Sequence, residues 1–466
     1  MYLLYVWAGL GLLLLLIFLL YFDFKLGRKK HIATSTHREY PVRTNSSLEI
    51  FTHGQDLFAD LFTEITNAKY QVHVSFYIAK DDKISKEFYA LLKKKALQGL
   101  DVRLLVDWMS SHKITEETAA ELQSANVQFA KSNAPKLPFL FYSVNVRNHR
   151  KITVIDGKTA YIGGFNVGKE YIDKDPKLSP WRDYHLKING DSVQDLHREF
   201  LQDWKCTSKA LQKFYSQKLP AISLLSRKKR PKVAVSYNSE MGAEVDFFAK
   251  KKAGRNDAAL SSKHEPEIAA EIAVTSANPN SFVKQNPKSL PIKIISTDGI
   301  LLEDIFAERI RNAKKSIFIG TPYFIPSKLL MTELLVAARS GVQITILVPE
   351  ISDHVLVKEA SLPYLRQLLA EGATVYQYQK GFYHAKVFLF DEKLADIGTA
   401  NFDQRSLFLN YEINCYLYDE SALARIKEII QTDLNNSKQL TLADLSKTNL
   451  LTKTKQKIAK PLEKFL

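Results

Sequence analysis

Only two of the 466 residues are cysteine, Cys206 and Cys415, and they stand far apart. That argues against a disulfide-stapled scaffold and is most simply read as two reduced core thiols in a cytosolic compartment. The chain has no Cys/His cluster at ligand spacing, no H-E-x-x-H pair and no glycine-rich P-loop. Neither a metal nor a cofactor is therefore expected. Charge of either sign is missing from Met1 to Phe22. As a helix that stretch would be about 33 Å long, enough for the hydrocarbon core of a bilayer. Tyr2, Tyr5, Trp7 and Tyr21 suit its two interfaces. A cleaved signal peptide would want a basic start, a shorter apolar core and a small-residue cleavage site, and none is present. Basic side chains are also missing before the span, whereas Lys25, Arg28, Lys29 and Lys30 follow it. The positive-inside rule then predicts a single-pass protein of the cell membrane with its C-terminal bulk in the cytoplasm.

What the chain does contain is one motif twice. H-x-K-x-x-x-x-D runs through His149, Lys151 and Asp156, followed by Gly163-Gly164-Phe165-Asn166. It recurs as His384, Lys386 and Asp391, followed by Gly398-Thr399-Ala400-Asn401. One copy occurs easily by chance. Two copies with matched Gly and Asn at the same offsets do not. Between each Lys and Asp lies an apolar run (Ile152–Ile155 and Val387–Phe390), which predicts buried strands. His and Lys at i and i+2 then share one strand face.

A site built from both copies would hold two imidazoles, two ammonium groups and two amides. That is a kit for phosphodiester exchange without a metal. One histidine attacks phosphorus while the other carries the proton to and from the alcohol oxygens. Lys151 and Lys386 would face the equatorial oxygens, where charge gathers in the transition state, and Asn166 and Asn401 would add neutral donors.

At these residues the chain resembles the phospholipase D superfamily and, within it, bacterial cardiolipin synthases of the shorter, single-anchor kind. The segments carrying the likeness are 148–156, 181–185, 321–326, 381–386, 398–406 and 409–414. The resemblance implies an α/β fold in which two phospholipase D-like lobes form an intrachain pseudo-dimer around one site. It also implies transfer of a phosphatidyl group between two phosphatidylglycerols with release of glycerol. In such enzymes a downstream acid often orients each histidine, so Glu412 is the expected partner of His384 and Asp183 that of His149. Asp156 and Asp391 are expected to support the site rather than touch phosphate. By family analogy His149 is the expected nucleophile and His384 the acid/base.

The repeat extends outward. Asn67-Ala68-Lys69 precedes an apolar strand at 72–77, and Asn312-Ala313-Lys314 precedes another at 316–320. Each is followed by an amphipathic helix and a second strand, at 99–106 and at 341–348, which predicts α/β layering. The expected organisation is an anchor at 1–22, a basic juxtamembrane linker at 23–46, a first lobe at 47–226, a polar mobile insert at 227–291, a second lobe at 292–440 and a basic amphipathic tail at 441–466. The insert carries Arg227-Lys-Lys-Arg230 and Lys250-Lys-Lys252, and the tail carries six lysines. The tail is expected either to lie on the membrane or to fray.

A net charge of +15 attracts anionic lipid or nucleic acid. The anchor favours the membrane and phosphatidylglycerol, with no nucleic acid partner expected. A phospholipase D passing the intermediate to water, a phosphatidylserine synthase, a membrane-tethered nuclease and a non-catalytic scaffold remain as rivals. The aromatic loop Pro138–Tyr142 is expected either to dip into the membrane or to be buried between lobes. His185 has Lys187 at motif spacing but Ser192 where Asp should be, so it is expected to be structural.

Overall fold

The computed structural model describes residues 2–35, 37–218, 282–283, 290–446 and 450–465. The basic runs at 227–230 and 250–252, the segment 276–281 and Lys447 lie outside the described residues.

Each lobe builds the same seven strands in the same order. In the first lobe the hydrogen-bonded order is Arg43–Phe51, His185–Gly190, Thr159–Gly163, Ile152–Ile155, Gln71–Phe76, Asp101–Asp107 and Gln128–Ser132. In the second it is Leu290–Asp298, Tyr411–Leu417, Leu394–Gly398, Val387–Phe390, Ser316–Gly320, Gln343–Pro349 and Thr374–Tyr378. The two series meet where Arg43–Phe51 pairs antiparallel with Leu290–Asp298, through Asn45↔Leu290 and Arg43↔Ile292. The whole is therefore one continuous sheet with an internal pseudo-twofold, as the duplicated motif predicts.

The chain's local chemistry explains these elements. Ile152–Ile155 and Val387–Phe390 are apolar at every position and buried at every position, as central strands covered on both faces require. The helices covering them start at side-chain caps. Asp82 accepts from the backbone N–H of Ser85, Ser327 from that of Leu330 and Asp419 from those of Ser421 and Ala422. One apolar cluster belongs to each lobe: Phe58, Val74 and Leu104 sit in the first, Phe306, Ile319 and Ile346 in the second. A third is shared, with Leu48, Val154 and Phe200 packing against Ile294, Val387 and Ile426. Fully burying each such side chain stabilises the fold by about 1.5–3 kcal/mol, so the shared cluster binds the lobes to each other and not only to themselves.

The first helix runs from Tyr2 to Thr34 and contains a stretch long and apolar enough to cross a membrane. It continues well past residue 22 and docks on the lobes. Strand Arg43–Phe51 likewise begins inside the stretch expected to be a linker. The tail forms a helix, Leu450–Leu462, ordered against helix Val357–Ala370 by Lys455–Glu359 (3.1 Å) and followed by Glu463, which accepts from the Tyr364 hydroxyl (2.8 Å). Cys415 is buried as expected, but Cys206 is exposed, because it falls on the solvent side of helix Ser192–Lys218.

Candidate active site

Both motifs sit at strand entrances that are sewn to the opposite lobe. Asn148 bridges to Tyr411, the backbone N–H of His149 donates to Tyr411 O (3.0 Å), and that of Tyr411 donates to Arg147 O (2.8 Å). On the other side Phe382-Tyr383 pairs with Trp181-Arg182, and the N–H of His384 donates to Arg182 O (2.7 Å). Each histidine is thus delivered next to the other lobe's acid.

The consequence overturns the pairing expected from chain order. His149 Nδ1 lies 2.9 Å from Glu412 Oε2 and 3.1 Å from Oε1. His384 Nδ1 lies 2.6 Å from Asp183 Oδ2. Glu412 serves His149 and Asp183 serves His384, each across the lobe interface. Sequence order suggested the reverse because it treats each lobe as self-contained, whereas the main-chain pairing exchanges the strand ends.

The two carboxylates are held differently. Glu412 also accepts from the hydroxyls of Thr399 (2.6 Å) and Ser406 (2.8 Å) and from Asn410 Nδ2 (3.3 Å). Asp183 accepts from the N–H of Tyr184 (2.8 Å) and lies 3.7 Å from Lys386 Nζ. The position matching Thr399 in the first lobe is Gly164, where a Cβ would run into the Asp183 carboxylate. Gly163 and Gly398 play a common part: a side chain at either would strike the neighbouring strand, at His185 and Asn414 respectively.

The electrostatics follow from burial. Both imidazoles are buried, and desolvation holds each at about 4, below its usual value. Glu412 and Lys151 pull His149 in opposite directions, as Asp183 and Lys386 do for His384. Burial would raise both acids, yet Glu412 is held below its ordinary range by His149 and Lys151, and Asp183 by Lys386 and His384. The resting state is therefore ionised carboxylate and neutral imidazole. A carboxylate on Nδ1 fixes the tautomer with its proton there, leaving the Nε2 lone pair of His149 free, whereas Nε2 of His384 lies 3.1 Å from Lys386 Nζ. Burial, reinforced by Lys386, lowers Lys151 to about 7; burial also lowers Lys386. Lys386 acts on both His149 and Lys151, and Asp183 acts on Lys151, so the two motifs share one electrostatic environment. Lys151 Nζ donates to His149 O (2.9 Å), and Lys386 Nζ donates to His384 O and lies 2.6 Å from Nδ1 of the same ring.

The remaining motif residues are held by partners of their own. Asp156 accepts from the N–H groups of Lys69, Tyr70 and Gln71 at 2.8–2.9 Å, and Asp391 from those of Lys314, Lys315 and Ser316 at 2.7–3.1 Å. Each pins the start of the strand beside the motif. Asn166 accepts from the N–H of Ile78 (3.0 Å) and donates to the Tyr171 hydroxyl (3.2 Å). Asn401 donates to Asp403 (3.0 Å) and keeps a buried, unpartnered Oδ1. His185 is buried, and Lys187 turns away to Asp60 (2.9 Å) and Glu64 (3.1 Å). Among the described residues no group of three or more His, Cys, Asp or Glu side chains is placed to hold a metal.

Several neighbours were not singled out from sequence. The Tyr77 ring stands 4.7 Å from that of His149, and the Trp181 ring 4.8 Å from that of His384. Asp107 accepts from the Asn148 N–H (3.0 Å) and from Arg147 (3.2 Å), fixing the entrance to the first motif. Arg150, fully buried, binds Asp203 (2.8 Å), Asp298 and the main-chain oxygen of Glu412 (3.3 Å). Trp181, Ser406 and Asn410 lie inside the segments that carry the family likeness, which was the available signal. Of the two aromatics at 323–324, Phe324 is core, stacked on Phe402, and Tyr323 faces His384 with ring centroids 6.3 Å apart.

Comparison with known proteins identifies the family. The family described as "Cardiolipin synthase, PLD-like domain" matches residues 61–204 and 306–434. The minor cardiolipin synthase ClsB of Bacillus subtilis is 34% identical over 91% of this chain and 90% of its own length. Cardiolipin synthase 2 of Staphylococcus epidermidis is 32% identical over 91% of this chain and 75% of its own. A crystal structure of phosphatidylserine synthase from Haemophilus influenzae shares the fold at a TM-score of 0.63 and 15% identity, covering 94% of this chain and 99% of that one. The fold and the site define a phospholipase D-like phosphatidyltransferase acting on phospholipids. The chain belongs to the cardiolipin synthase family.

Proposed function

We propose that this protein makes cardiolipin from two molecules of phosphatidylglycerol, releasing glycerol, by two in-line displacements at one phosphorus. His149 Nε2 attacks the phosphodiester of the first lipid, forming a phosphohistidine. His384 gives its proton to the departing glycerol oxygen. The same imidazole then takes the proton from a terminal glycerol hydroxyl of the second lipid, whose oxygen attacks the phosphohistidine and restores His149. Lys151 and Lys386 hold the equatorial oxygens. Asn166 and Asn401 each have one amide N–H committed to protein, and the other serves phosphate. Asp156, Asp391, Gly163 and Gly398 keep the strands in place. The observation that carries this reading is the crossed pair of His–carboxylate contacts, which supplies two imidazoles primed alike for one anion. Because neutral imidazole is the resting form, the arriving phosphate charge draws the proton that the acid needs.

The anchor helix, with Lys25, Arg28, Lys29 and Lys30 beyond its apolar stretch, supports a catalytic body on the cytoplasmic face. Purified enzyme incubated with isotope-labelled phosphatidylglycerol tests the reaction. Labelled cardiolipin with free glycerol is expected. Phosphatidic acid without cardiolipin would make the protein a hydrolase.

A further inference from the structure

The exposed loop preceding the first motif has a role that the catalytic reading does not use. It leads into the short helix Leu140–Asn145, which leads directly to Arg147, Asn148 and His149. Its position is set by the anchor helix. Asp23, the first charged residue after the apolar stretch, accepts the backbone N–H of Tyr142 at 2.7 Å. The Phe24 ring packs on Phe141 (6.2 Å), Tyr142 (5.2 Å) and Phe465 (5.4 Å). One turn on, Gly27 has no Cβ because Tyr142 occupies that space. Lys30 lies over the Phe139 ring at 6.0 Å.

The loop is thus clamped to residues 23–30 of a helix whose preceding stretch is apolar enough to span a bilayer. At 1.5 Å per residue those positions fall within about 12 Å of the end of the apolar run, through the lipid headgroups to their outer edge. At that level Leu137 is 81% exposed and Leu140 49% exposed, next to exposed Pro138 and Lys136. Burial between the lobes, the alternative open from sequence, does not hold for these two leucines. Lys30 over Phe139, Lys136 beside Leu137, and Lys25, Arg28 and Lys29 on the clamping stretch of the helix supply positive charge, which matches an anionic lipid surface.

We propose that the loop 137–141 is a second membrane attachment, its leucines inserted among the lipids beside the anchor, so that the entrance to His149 opens at headgroup depth. The proposal rests on the helix Tyr2–Thr34 spanning the membrane.

Single cysteines carrying an environment-sensitive fluorophore test it in the full-length protein with Cys206→Ser, reconstituted in nanodiscs of phosphatidylglycerol and phosphatidylethanolamine doped with spin-labelled lipid. Three positions are compared: Leu12→Cys in the anchor, Leu137→Cys in the loop, and Leu97→Cys, exposed at the end of helix Lys83–Leu97. Quenching at 12 and 137 but not at 97 is expected. Quenching at 12 with 137 no more affected than 97 would overturn the proposal and leave the anchor intact. No quenching at 12 would overturn the anchor reading and the proposal together. As a second readout, the pair Leu137→Asp and Leu140→Asp should raise KM for vesicle-borne phosphatidylglycerol about tenfold while leaving turnover of a soluble short-chain analogue unchanged. An equal loss on both substrates would instead assign the loop a purely structural role.

Discussion

His149 Nδ1 and Glu412 Oε2 stand 2.9 Å apart although 263 residues separate them in the chain. The matching contact, His384 to Asp183, joins residues 201 apart at 2.6 Å. Each half of the chemistry is therefore completed by the other lobe, and neither lobe alone holds an oriented imidazole.

Glu412→Gln should lower kcat by roughly 10²–10⁴-fold, because an amide can present the wrong group to Nδ1 and no longer stabilises an imidazolium. Asp183→Asn should act similarly through the other histidine. Nitrogen NMR of labelled histidine distinguishes the crossed from the uncrossed arrangement. Glu412→Gln should move the ring signals of His149 and leave those of His384 in place.

Gly164 and Thr399 occupy equivalent positions with opposite demands. Gly164→Ala forces a methyl group into the Asp183 carboxylate and should abolish activity in a protein that remains folded by circular dichroism. Thr399→Val keeps the volume but removes the hydroxyl donating to Glu412 at 2.6 Å. A loss of about tenfold in kcat is expected, on the scale of other partners that orient a functional group from behind.

The pH profile of kcat/KM should reflect the free enzyme. Its acid limb should fall near pH 4, where the nucleophile His149 takes up a proton. Its alkaline limb should begin near pH 7, where Lys151 loses the charge proposed to receive phosphate. Lys151→Arg keeps that charge at all working pH values. In whatever activity the variant retains, the alkaline limb should move up by two units or more, about as far as the gap between a shifted Lys and Arg allows.

Asp391 bears on stability rather than chemistry. Burial would raise its carboxyl, but the N–H groups of Lys315, Lys314 and Ser316 outweigh it and hold it below the usual carboxylate range. A lowered folded value means stability present above the unfolded pKa of about 3.9 and lost as pH falls through the folded value. Asp391→Ala should cost about 1–3 kcal/mol in urea unfolding at pH 7, with the gap closing below about pH 4. The variant's kcat per folded molecule should stay within a few-fold of the parent.

Much of this was legible beforehand because the duplicated motif constrains both fold and site. Apolar runs beside His149 and His384 became the central strands, and the Asn-Ala-Lys turns at 67–69 and 312–314 became the segments whose backbone is held by Asp156 and Asp391. The crossed acids were not legible, since local order says nothing about which lobe a strand end will pair with. The extension of the anchor helix to Thr34 was also missed. Its polar half resembles a linker until Asp23, Phe24, Gly27 and His31 are seen gripping Tyr142 and the main-chain oxygen of Asp298. Cys206 escaped the core because composition alone does not tell the two faces of a helix apart.

The central claim is that two imidazoles act on one phosphorus, with His149 attacking. A phosphatidyl p-nitrophenyl ester tests it most directly, because p-nitrophenolate departs without a proton from His384. His384→Ala should release about one equivalent of nitrophenolate per enzyme and retain an acid-labile phosphatidyl group that mass spectrometry maps to His149. His149→Ala should give neither burst nor adduct. A burst from His149→Ala, or an adduct on any other residue of His384→Ala, would contradict the assignment.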